Sequence, residues 1–233
     1  LDIYDADSDV ALPGIVVIPG GSYKTFKERD AARVALTFLT KGYQAFVVEY
    51  PVNEKKNYQD AKQSISMAFD YITDHAKDLN VDTDKLGVIG FSAGGHLAMS
   101  QAVYPGKVRP AFAAPIYPVV TMTEPCVHKR SRRGLLGERP TRTTERMDRW
   151  SLERHVTKDC PPIFLVNCID EPVVDYHNSV LLDSALSADG VQHIYIQYQT
   201  GGHGFGVSES KGTPECRPWK YRFLEWIKLK IEN

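Results

Sequence analysis

The sequence predicts an α/β protein, a mainly parallel sheet with helices on both of its faces. Three observations predict it. Short continuous apolar runs recur along the chain, the first being Ile15-Val16-Val17-Ile18, and such runs suit strands buried on both faces. Between them lie stretches whose apolar residues repeat at helical spacing. The two patterns alternate nearly throughout, and strands alternating with helices imply right-handed crossovers between parallel strands.

Taken in order, the Ile15 run is closed by Pro19-Gly20-Gly21. A helix follows near Ala31 to Lys41, with Val34 and Phe38 on one side and Gly42 as its C-terminal stop. Ala45-Phe46-Val47-Val48 is the next strand. Ala61, Ile65, Ala68, Phe69, Ile72 and Ala76 then mark one long amphipathic helix. The run Leu86-Gly87-Val88-Ile89 is a strand, and the segment after Ser92 a helix. A strand near Ala111 to Ile116 leads into the one segment that breaks the rhythm, residues 121–160. That excursion is polar, and its run His128-Lys129-Arg130-Ser131-Arg132-Arg133 reads as a solvated surface loop. An excursion this long between strands commonly forms a lid or a substrate wall. Ile163-Phe164-Leu165-Val166, a helix from Asn178 to Ala188, and Ile194-Tyr195-Ile196-Gln197-Tyr198 restore the alternation. A last helix carries Trp219, Phe223, Trp226 and Ile227.

A chain of 233 residues suits one domain with a sizeable core, so residues 1–233 are read as a single unit. The net charge of −1 gives no field that favours nucleic acid or an anionic membrane. No apolar run approaches the length of a membrane span. Cys126, Cys160, Cys168 and Cys216 lack the C-x-x-C spacing of zinc or redox sites. They read as free thiols in a reducing compartment, which makes a cytoplasmic location the expectation. The sequence leaves a homo-oligomer open.

The chemistry is concentrated in Gly90-Phe91-Ser92-Ala93-Gly94, a G-x-S-x-G pattern between a strand and a helix. A serine on such a turn is exposed for nucleophilic attack. It needs a base, and Gly201-Gly202-His203-Gly204-Phe205 supplies a histidine in a glycine-rich loop after a strand. It also needs an acid to orient that imidazole, and Asp170-Glu171 ends the Ile163 strand. His96, in the helix after Ser92, reads as structural.

These residues resemble the small α/β-hydrolase esterases, described as acetylxylan esterases, sugar hydrolases or lipase-like proteins. The resemblance spans nearly the whole chain. It is carried by Ile18-Pro19-Gly20-Gly21-Ser22-Tyr23, Gly42-Tyr43-Gln44-Ala45-Phe46-Val47-Val48, and Val88 through Ala98. Further on it includes Ala114-Pro115-Ile116-Tyr117-Pro118-Val119, Leu135-Leu136-Gly137, Asn178-Ser179 and the His203 loop. It implies an α/β-hydrolase fold with its opening antiparallel strands shortened. It also implies hydrolysis of small, acetyl-like esters of a carbohydrate or similar alcohol.

The resemblance places the nucleophile at Ser92 and the base at His203. The family's aspartate falls on Glu171, with Asp170 its alternative. Oxyanion donors would be the backbone N–H groups of Ala93, Gly21 and Ser22, where Ser22 departs from the family's Gly-Gly-Gly-Tyr. No metal or organic cofactor is required. Tyr23, Tyr117 and the excursion around His128 and Trp150 are candidate substrate walls. Two other readings stay open: an arylformamidase-like amidase, and a weakly active hydrolase-like binding protein, the latter turning on the acid.

Overall fold

The apolar runs become the strands of one sheet, and alternate side chains along each strand enter different cores. A computed structural model describes the chain except residues 27, 53–57 and 232–233. Seven strands are ordered β1-β3-β2-β4-β5-β6-β7. They are β1 (Asp2–Tyr4), β2 (Leu12–Ile18), β3 (Gln44–Val47), β4 (Val81–Phe91), β5 (Ala113–Ile116), β6 (Ile163–Cys168) and β7 (His193–Tyr198). Every pairing is parallel except that of β1 with β3.

On one face, Val16, Ile18, Val88, Ile163 and Leu165 pack under three helices. These are α2 (Tyr58–Asp74), α3 (Ala93–Val103) and α6 (His177–Ala188). On the other face, Ile15, Val17, Ile89, Phe164 and Val166 meet α1 (Glu28–Leu39) and α7 (Trp219–Ile231). Phe223 of α7 sits 5.6 Å from Phe38 and 5.1 Å from Phe164, ring centre to ring centre. Each such wholly buried aromatic stabilises the fold by roughly 2–3 kcal/mol. Trp219, Phe223, Trp226 and Ile227 thus form the α7 stripe that the sequence spacing implies.

The strand order reverses between β2 and β4. β2 leads to β3 on one side, while β4 leads to β5 on the other. In open α/β sheets, the loops leaving such neighbouring strands diverge and form a crevice at their C-terminal ends. Here those loops carry Gly20-Gly21-Ser22 and Ser92.

Apart from strand β1, to which no apolar run pointed, the structure differs from the sequence reading in two places. The Leu86 strand begins earlier, at Val81, because its first residues pair with Leu12 and Pro13 across a register shift. The 121–160 excursion is not an irregular loop. It holds α4 (Lys129–Leu136), α5 (Thr144–Arg149) and a 3-10 turn at Leu152–Arg154. The basic run is therefore helical. Lys129, Arg130 and Arg133 point to solvent, while Ser131, Gly134, Leu135 and Leu136 are buried. An amphipathic face so short offered too few apolar positions for its period to be read.

The excursion is tied to the body by polar groups. Asn178, wholly buried, accepts from the Val120 and Thr121 N–H groups and donates to the Cys126 carbonyl. No described helix is long and apolar enough to cross a membrane.

Candidate active site

The site starts from the turn at the end of β4. Ser92 has φ +57° and ψ −118°, a region in which an L-residue is strained by about 1–3 kcal/mol. The turn survives because its surroundings fix it. The Ser92 N–H donates to the Ile116 carbonyl at 3.0 Å, and the Ser92 carbonyl accepts from the His96 and Val119 N–H groups. The flanking glycines are dictated by space. A Cβ on Gly90 would lie 2.0 Å from the Gly94 carbonyl oxygen, and one on Gly94 would lie 2.2 Å from the Ile18 oxygen. Helix α3 thereby packs directly on the ends of β4 and β2. Ala93 is its first residue, so the Ala93 N–H has no acceptor within the helix.

Three side chains then fall into line. The Ser92 Oγ lies 3.0 Å from His203 Nε2, and His203 Nδ1 lies 2.6 Å from Glu171 Oε2. An ionised carboxylate only accepts, so Nδ1 carries the proton and Nε2 is left to accept from the serine hydroxyl. The Glu171 side chain is 1% exposed. Its second oxygen accepts from the Val173 and Val174 N–H groups at 2.8 and 3.2 Å.

Asp170 does not face His203. Its two oxygens accept instead from the N–H groups of Gly201 and Gly202, at 3.1 and 2.8 Å. The loop that presents His203 follows β7 and needs positive φ at Gly201, Gly202 and Gly204. Asp170 closes that loop by taking two of its donors. Tyr117 packs on the imidazole from the side, with ring centres 4.7 Å apart. Burial raises the Tyr117 phenol above its ordinary range.

These groups open into a cavity of about 250 Å³. Its floor is Ser92, His203 and Tyr117, and one side is the loop Pro19-Gly20-Gly21-Ser22. Phe91, Val34, Ala31 and Phe205 supply apolar wall, while Asp30, Arg33, Arg130 and Lys211 also line it. The wall residues on α1 and the loop after His203 carried no sequence signal, since a helix face and a surface loop look alike anywhere. No cluster of His, Cys, Asp and Glu suited to a metal ion occurs among the described residues.

Gly21 and Ser22 border Ser92 across the crevice. A Cβ on Gly20 would touch the Ser92 Cβ at 3.2 Å. The Gly21 carbonyl is turned into its own loop, accepting from the Lys24 and Thr25 N–H groups. Ser22 and Tyr23 both sit in the left-handed region, at φ +59° and +61°.

Tyr23 and Trp150, expected as substrate walls, do not line the cavity. Tyr23 is 2% exposed and Trp150 2% exposed, and both are spent on His96. The Tyr23 hydroxyl lies 2.6 Å from His96 Nδ1, and His96 Nε2 lies 2.8 Å from the Trp150 carbonyl oxygen. A carbonyl only accepts, so Nε2 bears the proton and Nδ1 accepts from the tyrosine. A neutral imidazole thus links the Ser22 turn, helix α3 and the excursion. His128 likewise lies outside the cavity lining, with Nδ1 2.7 Å from the Ser131 hydroxyl. Arg130, two residues on, is the residue the excursion contributes to the wall.

Fold and site together define an α/β-hydrolase, with a serine on a strained strand-to-helix turn and a histidine in reach. A family model described as BD-FAE matches residues 1–109. Endo-1,4-beta-xylanase B of Butyrivibrio fibrisolvens is 32% identical over 89% of this chain and 35% of its own. An acetylxylan esterase of Xylanibacter ruminicola is 31% identical over 82% of this chain and 41% of its own. The chain therefore spans well under half the length of these curated relatives. Among solved structures, an acetyl ester-xyloside bifunctional hydrolase from Caldicellulosiruptor lactoaceticus superposes with a TM-score of 0.90. It is 29% identical, with 97% of this chain and 86% of that one covered. These matches are to esterases and related hydrolases that share the α/β-hydrolase fold.

The neutral His96 has a measurable consequence. Burial holds its pKa down to about 4, although the bond to the Trp150 carbonyl pulls the other way. The unfolded chain protonates this imidazole near pH 6.5. Stability from the neutral site is therefore complete above that pH and is lost as pH falls toward 4. The loss amounts to about 3 kcal/mol. Urea unfolding of the wild type and of His96→Gln should show a stability gap that narrows by about this amount from pH 7 to pH 4. A gap that stays constant with pH would show that His96 does not carry the effect.

Proposed function

We propose that the chain is a serine carboxylic ester hydrolase that removes small acyl groups, acetyl above all, from a carbohydrate or similar alcohol. The observation that carries this reading is the hydrogen-bonded line from Ser92 through His203 to Glu171 at the floor of an open cavity.

In this mechanism His203 Nε2 takes the Ser92 proton as the Oγ attacks the ester carbonyl. Negative charge builds on the carbonyl oxygen. The N–H groups of Ala93 and of Gly21 or Ser22 receive it, and loss of one such donor costs about 3 kcal/mol of transition-state stabilisation. His203 then protonates the departing alcohol. Water hydrolyses the acyl-enzyme by the same route in reverse. Glu171 keeps the imidazole in the useful tautomer and stabilises it when charged. Asp170 acts one step removed, by closing the loop that presents His203. Tyr117 packs against the imidazole and forms part of the floor beside it. A binding protein without turnover would be the reading for a site lacking an acid, and the Glu171 contact leaves it without that support. No observation favours an amidase.

The carbohydrate comes from the relatives. Two of them are a xylanase and an acetylxylan esterase, so an acetylated plant polysaccharide or its fragments is the substrate class proposed here. The small acyl group follows from the cavity. An alkyl chain leaving the apolar wall of Phe91, Val34 and Phe205 soon meets charged side chains.

Three measurements test the reading. Ser92→Ala should lower kcat on an acetyl ester by at least about 10⁴-fold with an unchanged circular dichroism spectrum. Retention of a few per cent of activity would exclude Ser92 as nucleophile. Glu171→Gln should lose roughly 10³-fold in kcat, whereas Asp170→Asn should stay within about tenfold, since it weakens a loop contact only. The reverse order would make Asp170 the acid. Across an acyl series, kcat/KM should fall from acetyl to octanoyl. Each added methylene gains about 0.8 kcal/mol only where a pocket buries it, so a steady rise with chain length would identify a lipase-like site instead.

A further inference from the structure

We propose that the cavity selects esters bearing a carboxylate, and that Arg33 and Arg130 recognise it. The inference rests on the esterase reading and narrows its substrate class.

Arg33 stands on α1 and Arg130 in the first turn of α4, and both line the cavity that holds Ser92 and His203. Both are solvent-exposed. A third cation at the wall, Lys211, is matched by Asp30, whose Oδ2 lies 3.5 Å from its Nζ. Among the described residues, no carboxylate lies within ion-pair distance of Arg33 or Arg130. Among the described residues, then, the wall carries two guanidinium charges without an ion-pair partner. The chain as a whole has a net charge of −1, so the positive charge at this wall is a local excess, to which the basic outer face of α4 contributes Arg130.

The surrounding groups do not cancel it. His128 precedes α4 and is held below its ordinary pKa by burial and by the nearby His203 and Arg130, so it adds neither sign at neutral pH. The α4 N-terminus, one residue before Arg130, adds a partial positive charge of its own. Glu171 is withdrawn behind His203, its side chain 1% exposed.

A guanidinium stays charged at any working pH and attracts a carboxylate at the wall through solvent as well as in direct contact. An ester substrate can carry that group in either of two places. It can sit on the acyl part, as in a half-ester of a dicarboxylic acid, or on the alcohol, as in a sugar acid. Either one would place a carboxylate at the cavity wall while the ester carbonyl meets Ser92.

The size of the effect follows from screened Coulomb attraction. An exposed cation about 8 Å from a carboxylate in water-like dielectric gives roughly a twofold preference, and two such cations roughly fivefold. The experiment compares matched esters in low salt. Monomethyl succinate is set against methyl pentanoate, and monoacetylated glucuronic acid against monoacetylated glucose. We expect kcat/KM of the wild type to favour the anionic member of at least one pair by roughly fivefold, and about 0.5 M NaCl to remove most of that preference. The pair that shows it tells which part of the ester carries the recognised group. In Arg33→Gln/Arg130→Gln the anionic-to-neutral ratio should approach one, and in Arg33→Glu/Arg130→Glu it should drop below one. Equal kcat/KM within both pairs in the wild type overturns the inference, as does a preference that survives in both double variants. Failure to hydrolyse any of the four esters removes the esterase reading itself, and this inference with it.

Discussion

The rest of the site depends on one close approach, that of helix α3 to the ends of β2 and β4. Only glycine at positions 90 and 94 lets the helix backbone come within contact of the Ile18 and Pro19 carbonyl oxygens. That approach holds Ser92 in a conformation it would not adopt alone, with its N–H bonded to β5 and its carbonyl bonded to α3 and to the loop after β5. The strain is local, and the constraint on it is global. The sheet order brings β2 beside β4, so the turn after β2 arrives at the serine without any further device. Position, strain and neighbouring donors are three results of one packing contact.

Around this fixed point the less regular segments are braced through buried polar groups. Helix α4 rests on the Ser22 turn so closely that a Cβ on Gly134 would lie 2.3 Å from the Ser22 carbonyl oxygen. His96 ties the same turn to the far end of the excursion through Tyr23 and Trp150. Asn178 and Ser151 hold the excursion's base, Ser151 through the Met122 N–H and the Met147 carbonyl. The excursion is thus part of the frame of the site as well as of its wall. Two residues with left-handed backbone, Ser22 and Tyr23, are kept there by contacts from three directions.

Most of the fold was legible because its strands are buried on both faces and therefore apolar without interruption, as in Val16 to Ile18 and Ile163 to Val166. What was not legible lacks that property. β1 is three residues long at a sheet edge, and its burial alternates only weakly. Helix α4 hides four buried positions in a run dominated by arginine and lysine. For the site, Ser92 and His203 were legible because glycines mark the turns that hold them. That Glu171 and not Asp170 meets His203 was legible only through family register, since neighbouring carboxylates look equivalent in sequence. Tyr23 was misplaced for a different reason. An aromatic beside a glycine-rich turn can face either way, and a buried histidine four residues beyond Ser92 decided the direction.

The two neighbouring carboxylates bear on how such a site can vary. Among the described residues, they engage between them four peptide N–H groups and one imidazole, and no lysine or arginine. Each anion is thus solvated by backbone dipoles, which every sequence possesses. Substitutions on the surrounding surface leave that solvation in place. Because Asp170 already fixes the loop, the side chain at 171 has only to reach one nitrogen. Its length becomes a free variable that small adjustments of the Val173-Val174 turn can absorb. The frame therefore sets where a carboxylate at 171 must end, and not how long its stem must be.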